Sequence, residues 1–382
     1  MKKKGNVTAA TPAADTSDPE YDNSPEAAQR PRTGPAILRS PLTFAGEQWE
    51  RMQSSQRFHQ GRFRNSVPLN EIVRRGALPL LGEYFFSRTE RVPKQPLPLE
   101  NPLLTWATKP TTGLRVTWLG HSTMLIELGH LRILTDPVFG LRASPLSFAG
   151  PKRFHPPPVS IAQLPKIDAV LISHDHYDHL CYSSVLALAQ RDVPFITSLG
   201  VGARLTAWGI PATRISELDW WESHPLPGTE VHFTAAPAQH FSGRSFDDRN
   251  QTLWSSWVIR DDRHKVFFSG DTGLTDEFLQ IGAKYGPFDL TMLEIGAWHP
   301  QWGDIHLGPE NALKAHAMLG GGPLMPVHWG TFNLALHAWD EPAETLLRLA
   351  AADNTPLFMP RLGGSFEPGQ ARPPGPAWWR LR

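Results

Sequence analysis

From Leu114 onwards the apolar residues fall into short runs broken by turn residues: LRVTWLG, STMLIELG, LRILTDPVF, AVLISHD, PFITSLG, EVHFTAAPA, WSSWVIR, KVFFSGD, LTMLEIG and LMPVHWG. Runs of this length, rich in Val, Ile, Phe and Trp, predict β-strands. Between them SSVLALAQR (Ser183 to Arg191), VGARLTAWG (Val201 to Gly209), TDEFLQIGAKYG (Thr275 to Gly286) and GPENALKAHAML (Gly308 to Leu319) predict helices, and Pro342 to Ala351 predicts a last one. Many strands with helices interspersed predict an α/β fold of packed sheets flanked by helices.

The flanks have a different texture. Residues 1–40 are rich in Ala, Pro, Asp, Ser and Thr, with too few large apolar side chains to offset the entropy of ordering, and predict a disordered tail. Residues 41–110 read as an N-terminal extension with FHQGRFRN, a short helical candidate at Leu69 to Arg75 and the apolar LPLLGEYFF at Leu78 to Phe86. That apolar stretch could line a groove for acyl chains and touch a bilayer, or simply cover one face of the core, the commoner fate. Residues 111–370 carry the strands, and residues 371–382 are a Pro-rich C-terminal tail.

Composition narrows the field. Thirty-seven basic residues balance thirty-seven acidic ones, which provides no overall attraction to nucleic acid. With Cys181 as the one cysteine, an intramolecular disulfide and a thiolate-rich metal site are both excluded. MKKK opens like the start of an export signal, but the polar GNVTAATPAADTSDPEYDNSPEAAQ follows in place of an apolar stretch. No apolar run is long enough to span a membrane. The expectation is therefore a cytoplasmic protein, with any membrane contact peripheral.

The chemistry concentrates in SHDHYDHL, Ser173 to Leu180. On an extended strand end His174 and His176 point the same way and can share one metal ion. Asp178 and His179 follow where the chain turns towards a helix, and can face a second ion. The plain alternative is a solvated histidine-rich turn. Three further ligand-type residues weigh against it, each near the end of an apolar run: His240 closes VHFTAAPAQH, Asp271 sits between glycines in FSGDTG, and His328 follows LMPV. Five histidines and two aspartates suffice for two ions with a carboxylate between them.

The order HxHxDH, then His, Asp and His, resembles the metallo-β-lactamase superfamily, whose fold sandwiches two mixed β-sheets between helices. The resemblance implies one ion held by His174, His176 and His240, a second held by Asp178, His179 and His328, and Asp271 as the bridge. A His-rich, thiol-free pair of sites suits zinc, with iron or manganese as alternatives. A finer resemblance runs from about Phe58 to Pro368: TWLGHSTMLIELG, LTDPVFGLRASP, GPKRF, DAVLISHDHYDHL, APAQHFSGR, FSGDTG, IGAW and HWGTF are similar to the phospholipases D that hydrolyse N-acyl phosphatidylethanolamine and their bacterial relatives. It implies a binuclear phosphodiesterase acting on a phospholipid or other phosphodiester, and it suggests a homodimer. The chain departs from that family around Ser147 and Phe148 and at Ile305, positions that bear on the head group rather than the metals. In such an enzyme two cations about 3.5 to 4 Å apart lower the pKa of a bridging water towards about 7 and stabilise charge on the phosphoryl oxygens.

Among the remaining candidates, His306 in GDIHLGP is expected to face the site as a donor to phosphate or the leaving oxygen, or else to pack beside its helix. Tyr177 and Phe148 are candidate substrate contacts. His121 and Asp136 are expected to support the ligands by hydrogen bonding. His155, His232, His264, His316 and His337 are expected to be structural. A lactonase or other esterase on the same metals, and a non-catalytic binding protein on the same fold, remain as alternatives. PFITSLGVGARL has Leu205 where a dinucleotide loop needs its third glycine, and no GxSxG is present.

Overall fold

The strand-rich region folds into two sheets that share one core. The computed structural model describes residues 42–69, 89–299, 302–370 and 377–380, and these fall within one unit, Leu38–Arg382. The tail 1–40, residues 70–75 of the candidate helix and the LPLLGEYFF stretch lie outside the described residues.

The extension supplies α1 (Gly46–Ser54), the hairpin β1 (Phe58–His59) and β2 (Arg62–Phe63), and α2 (Leu103–Trp106). β3 (Leu114–Gly120), β4 (Thr123–Leu128), β5 (Leu131–Thr135), β6 (Ala169–Ile172), α3 (Tyr182–Ala189), β7 (Phe195–Ser198), α4 (Val201–Ala207) and β8 (Ile215–Leu218) follow. The second half contains β9 (Ser223–Pro225), β10 (His232–Ala236), β11 (Ser256–Arg260), β12 (Lys265–Phe268), α5 (Glu277–Tyr285), β13 (Leu290–Glu294), α6 (Gly308–Met318) and β14 (Leu324–Val327). α7 (Glu341–Ala352) and β15 (Ser365–Phe366) close the chain.

The first sheet has the order β15-β3-β4-β5-β6-β7-β8 and the second β14-β13-β12-β11-β10-β9. Each is antiparallel through one part and parallel through the rest: β3, β4 and β5 alternate in direction while β5 to β8 run together. Likewise β9 to β12 alternate and β12 to β14 run together.

Period-two alternation makes the layers. Met124, Ile126 and Leu128 of β4 and Ala169 and Leu171 of β6 join the core shared with the second sheet, whereas Leu125 of β4 and Val170 and Ile172 of β6 face the outer cluster with Leu188 and Leu205. Both faces are covered, so these strands read as continuous apolar runs rather than as alternation. Each fully buried large side chain here contributes about 1.5–3 kcal/mol.

The elements that the sequence did not reveal are the edge strands β8, β9 and β15 and the short elements inside the extension. β8 (ISEL) and β9 (SHP) end their sheets and are only partly buried, so neither needs an apolar run. At the other end of the chain Trp378 and Trp379 are buried in the main core. Among the described residues no helix is long and apolar enough to cross a membrane.

Candidate metal centre

The strand directions decide where the chemistry gathers. His121 follows β3, Asp136 follows β5, His174 and His176 follow β6, His240 lies beyond β10, Asp271 beyond β12, and His328 follows β14, while Glu294 is the last residue of β13. Every one sits at or just past the C-terminal end of its strand, and the pairing sets those ends on one edge of each sheet.

Two groups of ligand-type atoms meet at that edge. In one, atoms of His174, His176, His240 and Asp271 lie within 4.8 Å of one another; in the other, His121, Asp178, His179 and His328 do the same. Asp271 Oδ2 reaches both: it is 3.8 Å from the Nε2 atoms of His174 and His240, 3.1 Å from His179 Nε2 and 3.2 Å from His328 Nε2. Asp178 Oδ2 lies 3.2 Å from His328 Nε2 and 3.0 Å from His121 Nε2.

The surrounding hydrogen bonds fix ring orientation. Asp136 Oδ2 lies 2.8 Å from His179 Nδ1 and accepts from the Ser173 hydroxyl at 2.7 Å, and that hydroxyl is 2.9 Å from His174 Nδ1. His240 Nδ1 donates to the Ile305 carbonyl at 2.8 Å. These contacts leave the Nε2 edges of His179, His174 and His240 for the centre. Backbone strain is concentrated here too: His121 and His328 have φ of 53° and 62°, a conformation that non-glycine residues hold only when the surroundings enforce it. Gly270, before Asp271, has φ +53°, and a Cβ there would lie 2.7 Å from Ser173 Cβ, so the turn that presents Asp271 requires glycine.

The donor set fits divalent cations. Asp271 Oδ1, His179 Nε2, His328 Nδ1 and His121 Nδ1 are buried without a hydrogen-bond partner, which is costly unless another group satisfies them. Among the described residues the ion-pair partners of Asp136, Asp178, Asp271 and Glu294 are imidazoles. Burial disfavours charge on all of them. Against it, Asp271 raises His179 well above its ordinary value and, with Asp178, raises His328 to about 10. His121 is instead pushed down to about 3, by burial first and His328 next, and burial likewise lowers His174 and His240.

Without ions, then, His179 and His328, and His306 beside Glu294, are held towards the charged form next to the buried carboxylates. Loading a divalent metal at pH 7.5 is expected to release roughly two protons per chain, mainly from His179 and His328, because a ligating imidazole must be deprotonated. Calorimetry in buffers of different ionisation enthalpy measures this. Loading without buffer dependence would contradict it.

His306 joins the site. Its ring centroid lies 5.0 Å from that of His240 and 5.3 Å from that of His328. It also lines a cavity of about 400 Å³ with Trp298, Trp302, Ile305 and Leu307. The Tyr177 hydroxyl donates to the Arg244 carbonyl at 3.0 Å, and the Arg244 guanidinium lies 3.8 Å over its ring. Phe148 is 77% exposed on its loop.

Comparison with known proteins now has a site to be set against. Residues 131–329, just over half of the chain, match the family described as the Beta-lactamase superfamily domain. The chain belongs to the metallo-β-lactamase superfamily. Within it, an uncharacterised protein of Mycobacterium tuberculosis is 48% identical over 293 residues, 76% of this chain and 77% of that protein. The N-acyl-phosphatidylethanolamine-hydrolyzing phospholipase D 1 of Caenorhabditis elegans is 38% identical over 252 residues, 63% of this chain and 71% of that protein. A metallo hydrolase of Ignicoccus hospitalis shares the superfamily fold, with a TM-score of 0.52 at 22% identity over 66% of this chain and 98% of that one.

Sequence reasoning missed Glu294; His121, read as a support for the ligands, lies 3.0 Å from Asp178 Oδ2. Glu294 closes LTMLE as a carboxylate ending an apolar run, the same signal that marked His240 and Asp271. His121, beyond LRVTWLG, carries it as well.

Proposed function

We propose that this metal-dependent hydrolase cleaves phosphodiester bonds, with N-acyl phosphatidylethanolamine-like phospholipids as the substrate class and zinc as the metal. The observation that carries the reading is the single oxygen, Asp271 Oδ2, within 3.8 Å of imidazoles from both groups. A carboxylate placed in that way suits a pair of ions working on one phosphoryl group. The similarity to the worm phospholipase D supports the phosphodiester over other bonds.

In this reading His174, His176 and His240 would hold one ion and Asp178, His179 and His328 the other, with Asp271 available to both. Bound there, the ions would supply Lewis acidity to the phosphoryl oxygens and make a water acidic enough to attack at neutral pH. The residues do the rest. Asp136 and Ser173 keep the imidazoles of His179 and His174 in their tautomers, His121 steadies Asp178, and His306 faces the reacting group from the cavity side. Water oxygen joins phosphorus as the proton it gives up passes to Nε2 of His306, the bond from phosphorus to the head-group oxygen breaks, and that oxygen takes the same proton from His306. The alcohol leaves, and the phosphomonoester remains on the lipid.

His306→Ala is expected to lower kcat by roughly 10²- to 10⁴-fold, the range for a positioned proton donor, with the metal content retained. Turnover paired with metal analysis checks it. The function itself is tested by assaying purified protein on bis(p-nitrophenyl) phosphate, N-acyl phosphatidylethanolamine and an acyl-homoserine lactone. Chelator-sensitive release of phosphatidic acid from the second is expected. A protein that opens the lactone and leaves every phosphodiester intact would sink the proposal.

A further inference from the structure

Glu294 holds no ion in the reading above, yet it is a fully buried carboxylate at the tip of β13, and three segments of the site converge on it. Its Oε2 lies 2.6 Å from His306 Nδ1 and 3.7 Å from His328 Nδ1, an atom with no hydrogen-bond partner. Its Oε1 accepts the backbone N–H of Thr272, next to Asp271, at 2.6 Å and that of Leu307, next to His306, at 3.3 Å.

We propose that Glu294 is a positioning residue that holds the proton of His306 on Nδ1, so that Nε2 is the edge presented to the cavity, while it pins the main chain beside Asp271 and His306. The carboxylate has only acceptors to offer, and the two N–H groups occupy one oxygen. The imidazole nitrogen facing the other must therefore be the protonated one. The proposal rests on His306 as the proton carrier for its functional meaning, but the proton's position can be read without a substrate.

The rival role is ligation, since ligand-type atoms of Asp271, Glu294, His306 and His328 also lie within 4.8 Å of one another. Glu294→Gln separates the two. With its amide oxygen kept on the Thr272 and Leu307 N–H groups, its NH₂ faces His306 and can only donate, so Nδ1 must become the acceptor and the proton must move to Nε2.

The full-length zinc-loaded chain, ¹⁵N-labelled at histidine, is compared by NMR as parent and Glu294→Gln, with His306→Asn used to assign the resonances. The expected result is an Nδ1-protonated His306 in the parent, an Nε2-protonated one in the variant, equal zinc content, and a kcat lowered about ten- to a hundredfold at unchanged KM. An unmoved tautomer, or loss of a zinc equivalent in the variant, overturns the proposal. Should the variant not fold, the parent spectrum still decides, because a His306 protonated on Nε2 there is incompatible with it. If these spectra hold and no phosphodiester is cleaved, the substrate reading fails and this assignment stands.

Discussion

Asp271→Ala is expected to lose bound metal and, with it, roughly a thousandfold or more of hydrolytic activity, since metal assistance contributes several kcal/mol and each 1.4 kcal/mol is tenfold. Asp271 Oδ2 lies against imidazoles of both groups that would hold the ions. Its loss also changes the ion-free protein. After burial, which opposes the charge, Asp271 is the first cause that keeps His179 and His328 protonated. Removing it lowers both and leaves Asp178 with less compensating charge. Metal analysis should find about two equivalents in the parent and a clear deficit in the variant. A variant that keeps its full metal content and most of its turnover would contradict the arrangement.

The second large effect lies behind the motif. Asp175, between His174 and His176, is fully buried and receives Arg204 Nε at 2.5 Å and the Gly243 N–H at 2.8 Å. Arg204 Nη2 also donates to Asp248 Oδ2 at 2.7 Å, and Asp248 Oδ1 in turn accepts the N–H groups of Arg244 and Ser245. Arg204→Ala leaves the sealed Asp175 carboxylate, and the mostly buried Asp248, without their ionic partner, and a stability loss of about 3–5 kcal/mol is expected. Urea unfolding measures it. Arg204→Lys should recover part of the loss, because the charge returns without the planar fork that reaches both partners. Metal affinity should fall in parallel, since Asp175 holds the backbone between two candidate ligands. An unchanged midpoint for Arg204→Ala would contradict this account.

How much of this was readable from the chain depends on the kind of signal. The two sheets were legible because both faces of β3, β4, β6, β12 and β13 are covered, and double burial writes itself as an unbroken apolar run. The family followed from HxHxDH and three distant residues with one shared habit, a ligand-type side chain just beyond such a run. That habit also marks Glu294, so it could have been found. Arg204 could not: it lies in VGARLTA, where an arginine on a short helix looks like any solvated charge. Its partner Asp175 reads as the variable letter inside HxH. Burial of a charge depends on which segments fold over it, and that information is spread over Asp175, Arg204 and Asp248 rather than held in a local pattern. The edge strands β8 and β9 escaped for the related reason that water on one side relaxes the demand for apolar residues.

One contact far from the recognised motifs bears on where the working protein begins. Asn65 acts as a peptide-like clamp on His240: its Nδ2 donates to the His240 carbonyl at 2.8 Å, and its Oδ1 accepts the His240 N–H at 3.0 Å and the Trp254 indole N–H at 3.0 Å. The family match starts only at residue 131. A fragment trimmed to that boundary would therefore leave a histidine of the centre without its brace, so a functional piece must reach back at least to Asn65, just past β2.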